Sequence, residues 1–401
     1  MKYLILLLSL IVIYLLAFLA SNNKRNIQHK WLVSMLLIQV VFAFIFLNTS
    51  VGSTLIGGFA NTFAKLLDFA NIGTTFVFGN LVQKGSFVFF FDVLMPIVFV
   101  SAIIGILEYI GILGLIIRGV GWLLSKVSGM GRLESYNGLA TLIFGQSEVF
   151  ISLKKQLGQL TPPRLYTLCA SSMSTVSMSI VGSYMHLLQP RYVVTALVLN
   201  LFAGFMISSI INPYKVDPEN DLLVLENPRR QNFFEMLGEY ILDGFKVAII
   251  VGAMLIGYIA LIALVNAIFV KLTGFAFQGA FTVDFQTLAG YFFAPFAILM
   301  GVTPGDAIHV GSLMATKLFS NEFVAMTELP HYKGMSERSV GILSVFLVSF
   351  ANFSSIGIIT GAINALNAEQ GRVAARLGLK LLYGATLVSL LSGTIAGLFI
   401  G

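Results

Sequence analysis

The 401-residue chain has one cysteine, Cys169, which excludes an internal disulfide framework and any cysteine-based metal cluster. Its four histidines, His29, His186, His309 and His331, form no pair at metal-ligand spacing. Charge is scarce as well: 10% of residues are ionisable as Asp, Glu, Lys or Arg, against about 25% in soluble domains. So little charge cannot cover a water-facing surface, and disordered, fibrous and ordinary soluble classes fall away. Hydrophobic residues, at 57% with 35 Phe, fill the space instead. The composition is that of an all-α polytopic membrane protein. The net charge of +6 does not signal nucleic acid, because Lys and Arg sit between apolar runs, where their excess sets membrane orientation.

A hydrocarbon core of about 30 Å needs roughly 20 apolar residues per helix. Eight runs are expected to cross: residues 3–20, 31–48, 87–117, 165–188, 192–211, 244–270, 340–366 and 377–400. The first is too long for a signal peptide's apolar segment and is followed by Lys24, Arg25 and Lys30, so it reads as a retained anchor. Segments 54–78, 118–127 and 233–245 are two-faced and are expected to be interfacial helices. A cytoplasmic loop after the first crossing puts most of the 24 basic residues inside, with both termini outward.

Two further stretches are apolar at their ends and polar in the middle. Residues 135–160 are interrupted by Gly145-Gln146-Ser147-Glu148, and residues 303–329 by Ser320-Asn321-Glu322. Each half is too short to cross, so each stretch is expected to be a re-entrant helical hairpin, with its irregular tip buried in protein or facing a wet cavity. The order of short helix, hairpin, crossing, crossing after Arg118 recurs after Gln286. In each copy about thirty residues separate the hairpin glutamate from a Ser-rich break, at 171–179 and at 349–357, as an inverted repeat would give. Close helix packing alone explains one Ser-rich stretch, but not two at equivalent places beside acidic hairpins.

Glu148 and Glu322 carry the most information, because a carboxylate inside the bilayer is costly unless paired, wetted or protonated. With Gln146, Ser147, Asn352 and Ser355 they make a set that both donates and accepts hydrogen bonds. That set suits a neutral solute rich in hydroxyls and amide-like edges, not a metal ion. Lys317 has two readings, as counter-ion to Glu322 or as a side chain snorkelling to the interface. Cys169 reads as a small core residue, and His186 and His309 as interface groups or proton relays. Asp217, Glu219, Asp221 and Glu226 read as a solvated loop. Catalysis is disfavoured. Gly145-Gln146-Ser147-Glu148-Val149 lacks the second Gly of a nucleophile elbow, and Asp92 with Asp306 has no visible support as an aspartyl pair. A channel is the other rival, because re-entrant loops also build selectivity filters.

The run Ala315-Thr316-Lys317-Leu318-Phe319-Ser320-Asn321-Glu322-Phe323-Val324-Ala325 resembles the signature of the concentrative nucleoside transporters. Gly145-Gln146-Ser147-Glu148 and Phe350-Ala351-Asn352-Phe353-Ser354-Ser355 resemble that family's other two site motifs. The resemblance implies an elevator-type homotrimer in a bacterial inner membrane. It divides the chain into scaffold (1–117, with an interfacial helix), first transport repeat (118–211), interfacial helix and scaffold crossing (212–270) and second transport repeat (271–401). It implies that Gln146, Ser147 and Glu148 address the nucleobase against Ile180, and that Glu322, Asn352 and Ser355 hold the ribose. Phe350 matches an aromatic near the site, with plain packing the alternative. No cofactor, metal or nucleic acid is expected.

One departure bears on the coupling ion. Sodium-coupled members carry Asn four residues before the hairpin Gly, where this chain has Thr141, while Thr175 and Val176 match the rest of the ion site. Thr141 beside the carboxylates Glu148 and Glu322 favours proton symport, with sodium as the alternative.

Overall fold

The structure is a computed structural model, described here for residues 2–82, 88–216, 232–276 and 283–401; it is helical, with no strand among those residues. Helices α1 (Lys2–Leu19), α2 (His29–Asn48) and α3 (Ser50–Phe78) open the chain. A π-helical turn, Phe90–Leu94, leads into α4 (Pro96–Tyr109), followed by α5 (Ile112–Ser128). The first hairpin is α6 (Arg132–Phe144) returning through α7 (Val149–Ser152) and α8 (Lys154–Leu157). Next come α9 (Pro162–Ser174), α10 (Met178–Leu187), α11 (Pro190–Ile211) and α12 (Phe233–Ala276). After α13 (Phe285–Leu299), the second hairpin is α14 (Ala307–Phe319) with α15 (Glu322–Glu328). The chain ends with α16 (Glu337–Leu347), α17 (Phe353–Leu366) and α18 (Ala368–Phe399).

Among the described residues, five helices are long and apolar enough to cross a membrane: α2, the α4 segment, α11, α12 and α18. Of the other three expected crossings, 3–20 is the shorter helix α1. The remaining two are interrupted, 165–188 between α9 and α10 and 340–366 between α16 and α17. These are the two crossings whose Ser-rich stretches lead the sequence to expect a break. The order α5, hairpin, α9–α10, α11 is repeated by α13, hairpin, α16–α17, α18.

Two boundaries need correction. The run 87–117 is not one long crossing. Gly111, at φ +83°, donates its N–H to Glu108 O at 2.9 Å and ends α4, so residues 112–117 belong to α5 together with the two-faced stretch 118–127. Phe87 itself lies outside the described residues, as do Asp217, Glu219, Asp221 and Glu226. Nor do 233–245 and 244–270 form two helices. They are the single α12, whose 44 residues span about 66 Å. Gly244 does not interrupt it but lets α12 approach α4, since a Cβ there would lie 2.8 Å from Ser101 Oγ and 2.9 Å from Val98 Cα. Small residues at such crossings permit backbone contact that lipid alone would not drive.

Helix α3 follows the expected two-faced pattern. Ile56, Phe63, Leu67, Ala70 and Thr74 are buried at helical spacing, while Lys65 and Asp68 are exposed. Helix α18 is the central pillar, packed against α9, α11, α16 and α17, with α1 on a further side. Ser9 and Thr394, both buried, share a 2.8 Å hydrogen bond across the α1–α18 contact. The tightest pair is α13 with α14, where Gly290 and Gly311 cross. A Cβ on Gly311 would sit 2.4 Å from Gly290 O and 2.9 Å from Ala294 N, both rigid backbone.

Gly311→Ala should therefore lower stability by about 1–3 kcal/mol, the usual range for overpacking, read as a lower melting temperature in detergent. Gly305→Ala, where nothing lies within 4 Å, is the control and should melt like the parent.

Candidate functional site

Each hairpin tip is a short polar turn between helix halves. Gly145 ends α6 at φ +118°, and an added Cβ would meet Glu148 Oε2 at 2.6 Å. Only glycine both takes that conformation and leaves room for the carboxylate folded over it. Glu148 is exposed, Ser147 half-buried and Gln146 buried, with Gln146 Oε1 lacking a hydrogen-bond partner. In the second hairpin, Asn321 Oδ1 accepts from Val324 N at 3.0 Å and caps α15. That cap makes Glu322 the first residue of α15, where the helix dipole favours a carboxylate. Glu322 is only 4% exposed.

The two broken crossings meet. Phe350 N, in the α16–α17 break, donates to Thr175 O, in the α9–α10 break, at 3.2 Å. Ser177 caps α10, its Oγ accepting from Ser179 N at 3.3 Å. Asn352 caps α17, its Oδ1 accepting from Ser355 N at 2.9 Å. The amide of Asn352 points the other way, with Nδ2 donating to Glu322 Oε2 at 2.9 Å. Tyr184 Oη donates to Glu322 Oε1 at 2.8 Å, so each carboxylate oxygen holds one donor and keeps further acceptor capacity.

Helix α10 spaces the two acidic groups. Its cap Ser177 lies against the Gly145–Glu148 turn, where a Cβ added at Gly145 would lie 3.4 Å from Ser177 Cβ, whereas Tyr184 reaches Glu322. Seven residues at 1.5 Å rise set these points about 10 Å apart. Glu322 is bonded and buried on the Tyr184 side of α10, and Glu148 is exposed on the Ser177 side. Ile180, buried, lies between Ser177 and Tyr184 on the same helical face.

The remaining expected residues fall as follows. Ser355 is buried beside its cap Asn352, and Phe350 is buried, holding the contact between the breaks through its backbone. Thr141 and Thr175 are buried, as is Val176. Thr141 Oγ1 donates to Asn137 O at 2.8 Å and shares a 3.0 Å hydrogen bond with Ser172 Oγ. Of the two readings of Lys317, snorkelling to the interface fails, while the counter-ion reading survives as an electrostatic interaction with Glu322 and not as a hydrogen bond. The lysine is buried at 1% exposure, and its Nζ donates to Phe346 O (2.5 Å), Ser349 Oγ (2.7 Å) and Ser389 Oγ (3.1 Å), not to Glu322 or the interface. Asp92 and Asp306 are not paired either. Asp92 accepts from Val88 N at 2.6 Å, and Asp306 from Ser336 N and Oγ at 3.0 and 2.8 Å. Burial pushes the Asp306 carboxyl up, but hydrogen bonds from Ser339 and Ser336 outweigh it and hold the group below the usual carboxylate range.

Sequence reasoning missed Tyr184 and Asn200. Tyr184 was discoverable, because it falls four residues after Ile180 on one face of a helix. Asn200, whose Nδ2 donates to Val348 O at 2.5 Å, gave no signal, since nothing in α11 marks it as facing a break.

Half-helix N-termini and hydrogen-bonding side chains gather where two broken helices cross, the arrangement that inverted-repeat transporters use for a solute. Models of the Na+ dependent nucleoside transporter N-terminus and C-terminus match residues 8–81 and 192–397, and a nucleoside recognition model named Gate matches 90–191. The chain belongs to the concentrative nucleoside transporters. It is 36% identical over 404 residues to the purine nucleoside transport protein NupG of Bacillus subtilis, covering 100% of both chains. It is 32% identical to the putative nucleoside permease NupX of Escherichia coli, covering 98% of each. The solved structure of CNTnw in an inward-facing substrate-bound state superposes with a TM-score of 0.91 at 29% identity, covering 100% of this chain and 98% of that one. This concentrative nucleoside transporter is thus a membrane transporter and not an enzyme.

Tyr184→Phe removes one donor from a buried carboxylate while conserving volume. A hydrogen bond to a charged group is worth about 1.5–3 kcal/mol, so nucleoside affinity should fall roughly tenfold or more in a binding titration. Unchanged affinity would show that Tyr184 does not orient Glu322.

Proposed function

We propose that the chain imports nucleosides by symport with protons, using an elevator movement of the two repeats, as a homotrimer in a bacterial inner membrane with both termini outward. The observation that carries the substrate assignment is the spacing along α10. Glu322, held by Tyr184, and the Gln146–Glu148 turn, against Ser177, meet α10 at points about 10 Å apart along its axis, on the scale of a nucleoside. Ribose hydroxyls donate to Glu322 and engage Asn352 and Ser355. The nucleobase edge takes the partnerless Gln146 Oε1, with Ser147 and Glu148, and lies against Ile180. Charge-assisted bonds to the ribose are the stronger set and anchor the solute.

Proton coupling is supported by the state of Thr141. Its hydroxyl is engaged by Asn137 O and Ser172 Oγ, and Thr175 O already accepts from Phe350 N. Both oxygens thus already take part in hydrogen bonds, which compete with coordination of a sodium ion. Sodium is the second reading, favoured by the Na+ dependent name of the family models and by Asn137 Oδ1, a buried acceptor without a partner one turn before Thr141. A movement of the repeats that carries the solute through the bilayer is consistent with solved relatives named for inward-facing, intermediate and outward-facing states. The close contact of α4 with α12, by contrast, suits a stationary part, and the exposed apolar side chains of α12 are free to meet lipid or a neighbouring copy.

Uptake into proteoliposomes under separately imposed gradients tests both halves of the proposal. Uridine and adenosine should accumulate against their gradients under an inward proton gradient without sodium, adenosine being included because NupG is named for purine nucleosides. Strict sodium dependence at fixed pH overturns proton coupling, and equilibration without accumulation makes the protein a channel.

Recognition through Glu322 has a separate signature. Glu322→Gln should abolish uptake while leaving folded protein, and nucleosides lacking a ribose hydroxyl should compete about 10–100-fold more weakly, because a buried acceptor is left unpaired. Equal competition by deoxynucleosides would remove the ribose from this end of the site.

A further inference from the structure

Lys317 is buried in the membrane part of the molecule, yet the proposed solute site does not use it. Its surroundings are unusually complete. An ammonium has three donors, and Nζ finds three oxygens, Phe346 O, Ser349 Oγ and Ser389 Oγ, while lying 4.4 Å over the Phe346 ring. The first of these oxygens belongs to the last turn of α16, whose carbonyls have lost their helical donors because the crossing breaks at Val348. Ser349 and Ser389 are tied to each other at 2.8 Å, so the lysine joins hairpin 2, the break and α18 at one point. A cation at a helix C-terminus is also favoured by the helix dipole.

The two repeats can be aligned at their landmarks. Setting the end of α6 on the end of α14 places Phe144 on Phe319, and hence Thr141 on Thr316, next to Lys317. Setting the end of α9 on the end of α16 places Ser174 on Leu347, and hence Thr175 and Val176 on Val348 and Ser349. Lys317 therefore occupies, in the second repeat, the place that Thr141, Thr175 and Val176 surround in the first. Unwound carbonyls and half-helix C-termini are where inverted-repeat transporters hold coupling cations.

We infer that Lys317 is a tethered cation, a covalently attached ammonium filling in the second repeat the pocket that the first repeat keeps for an exchangeable ion. The second repeat is thereby locked in its broken-helix geometry without an ion from solution, and ion binding can control only the first. The inference rests on the repeat architecture and not on which ion couples transport. Lys317 is a positioning residue, since it touches neither the expected solute contacts nor Glu322 by a hydrogen bond.

Chemical rescue tests this with a readout independent of nucleosides. Lys317→Ala deletes three carbons and the ammonium, the outline of propylammonium. Purified Lys317→Ala protein should melt several degrees below the parent, and millimolar propylammonium should restore the melting temperature while leaving the parent unmoved. Neutral 1-propanol should not. Restoration by 1-propanol to the same extent, or no response to propylammonium, overturns the tethered-cation role, as does a Lys317→Met protein that melts and transports like the parent. If Lys317→Ala yields no folded protein, the double variant Ser349→Ala, Ser389→Ala carries the test, because it keeps the lysine and removes two of its acceptors. That variant should lose several degrees, and an unchanged melting temperature overturns the proposal. Should the parent transport no nucleoside, the proposed function fails, while the melting data still decide the role of Lys317.

Discussion

A helix that stops halfway through a membrane leaves backbone carbonyls and N–H groups with no water to receive them, and much else in this fold answers that constraint. The α16–α17 break exposes Phe346 O and Val348 O, met by Lys317 and Asn200 from two other helices. At the α9–α10 break, Thr175 O is met by the backbone of the opposite break. Asn352, Asn321 and Ser177 supply the N-termini with caps. Each unmet group would cost about 1–3 kcal/mol, so the breaks are tolerable only as a set.

The proposed solute site follows from the same repair. Asn352 caps α17 with its oxygen, which leaves its nitrogen to face Glu322, so one amide serves both the helix end and the proposed recognition. Asn321 caps α15 and thereby places Glu322 in the first turn. A carboxylate with both oxygens already oriented needs little rearrangement when a solute binds, which is how a site gains affinity without added contacts. The residues that hold the breaks open and the residues proposed to hold the solute are in part the same residues.

Much of this was legible in the sequence. The interruptions at Gly145–Glu148 and Ser320–Glu322 showed as polar tips between apolar halves, and both broken crossings showed as Ser-rich stretches. Fixed spacing between glutamate and break made the repeat readable. What could not be read was direction and partner. Nothing local distinguishes a glycine that ends a helix, Gly111, from one that lets helices touch, Gly244, because the difference lies in what packs against them. The acceptors of Lys317 were unreadable for the same reason. A lysine five residues from a glutamate suggests a pair, while its actual acceptors, Phe346, Ser349 and Ser389, come from far along the chain. Ile180 came from the family resemblance, and helical periodicity counted from it would have carried Tyr184.

The central claim is that a nucleoside lies along α10 with its ribose at Glu322 and its base at the first hairpin tip. The most direct measurement is an experimental structure in a lipid nanodisc with a nucleoside bound. The expected result is ribose oxygens within hydrogen-bond distance of Glu322 and Asn352, and the base against Gln146 and Ile180. A nucleoside bound in the reverse orientation, or away from α10, would contradict it.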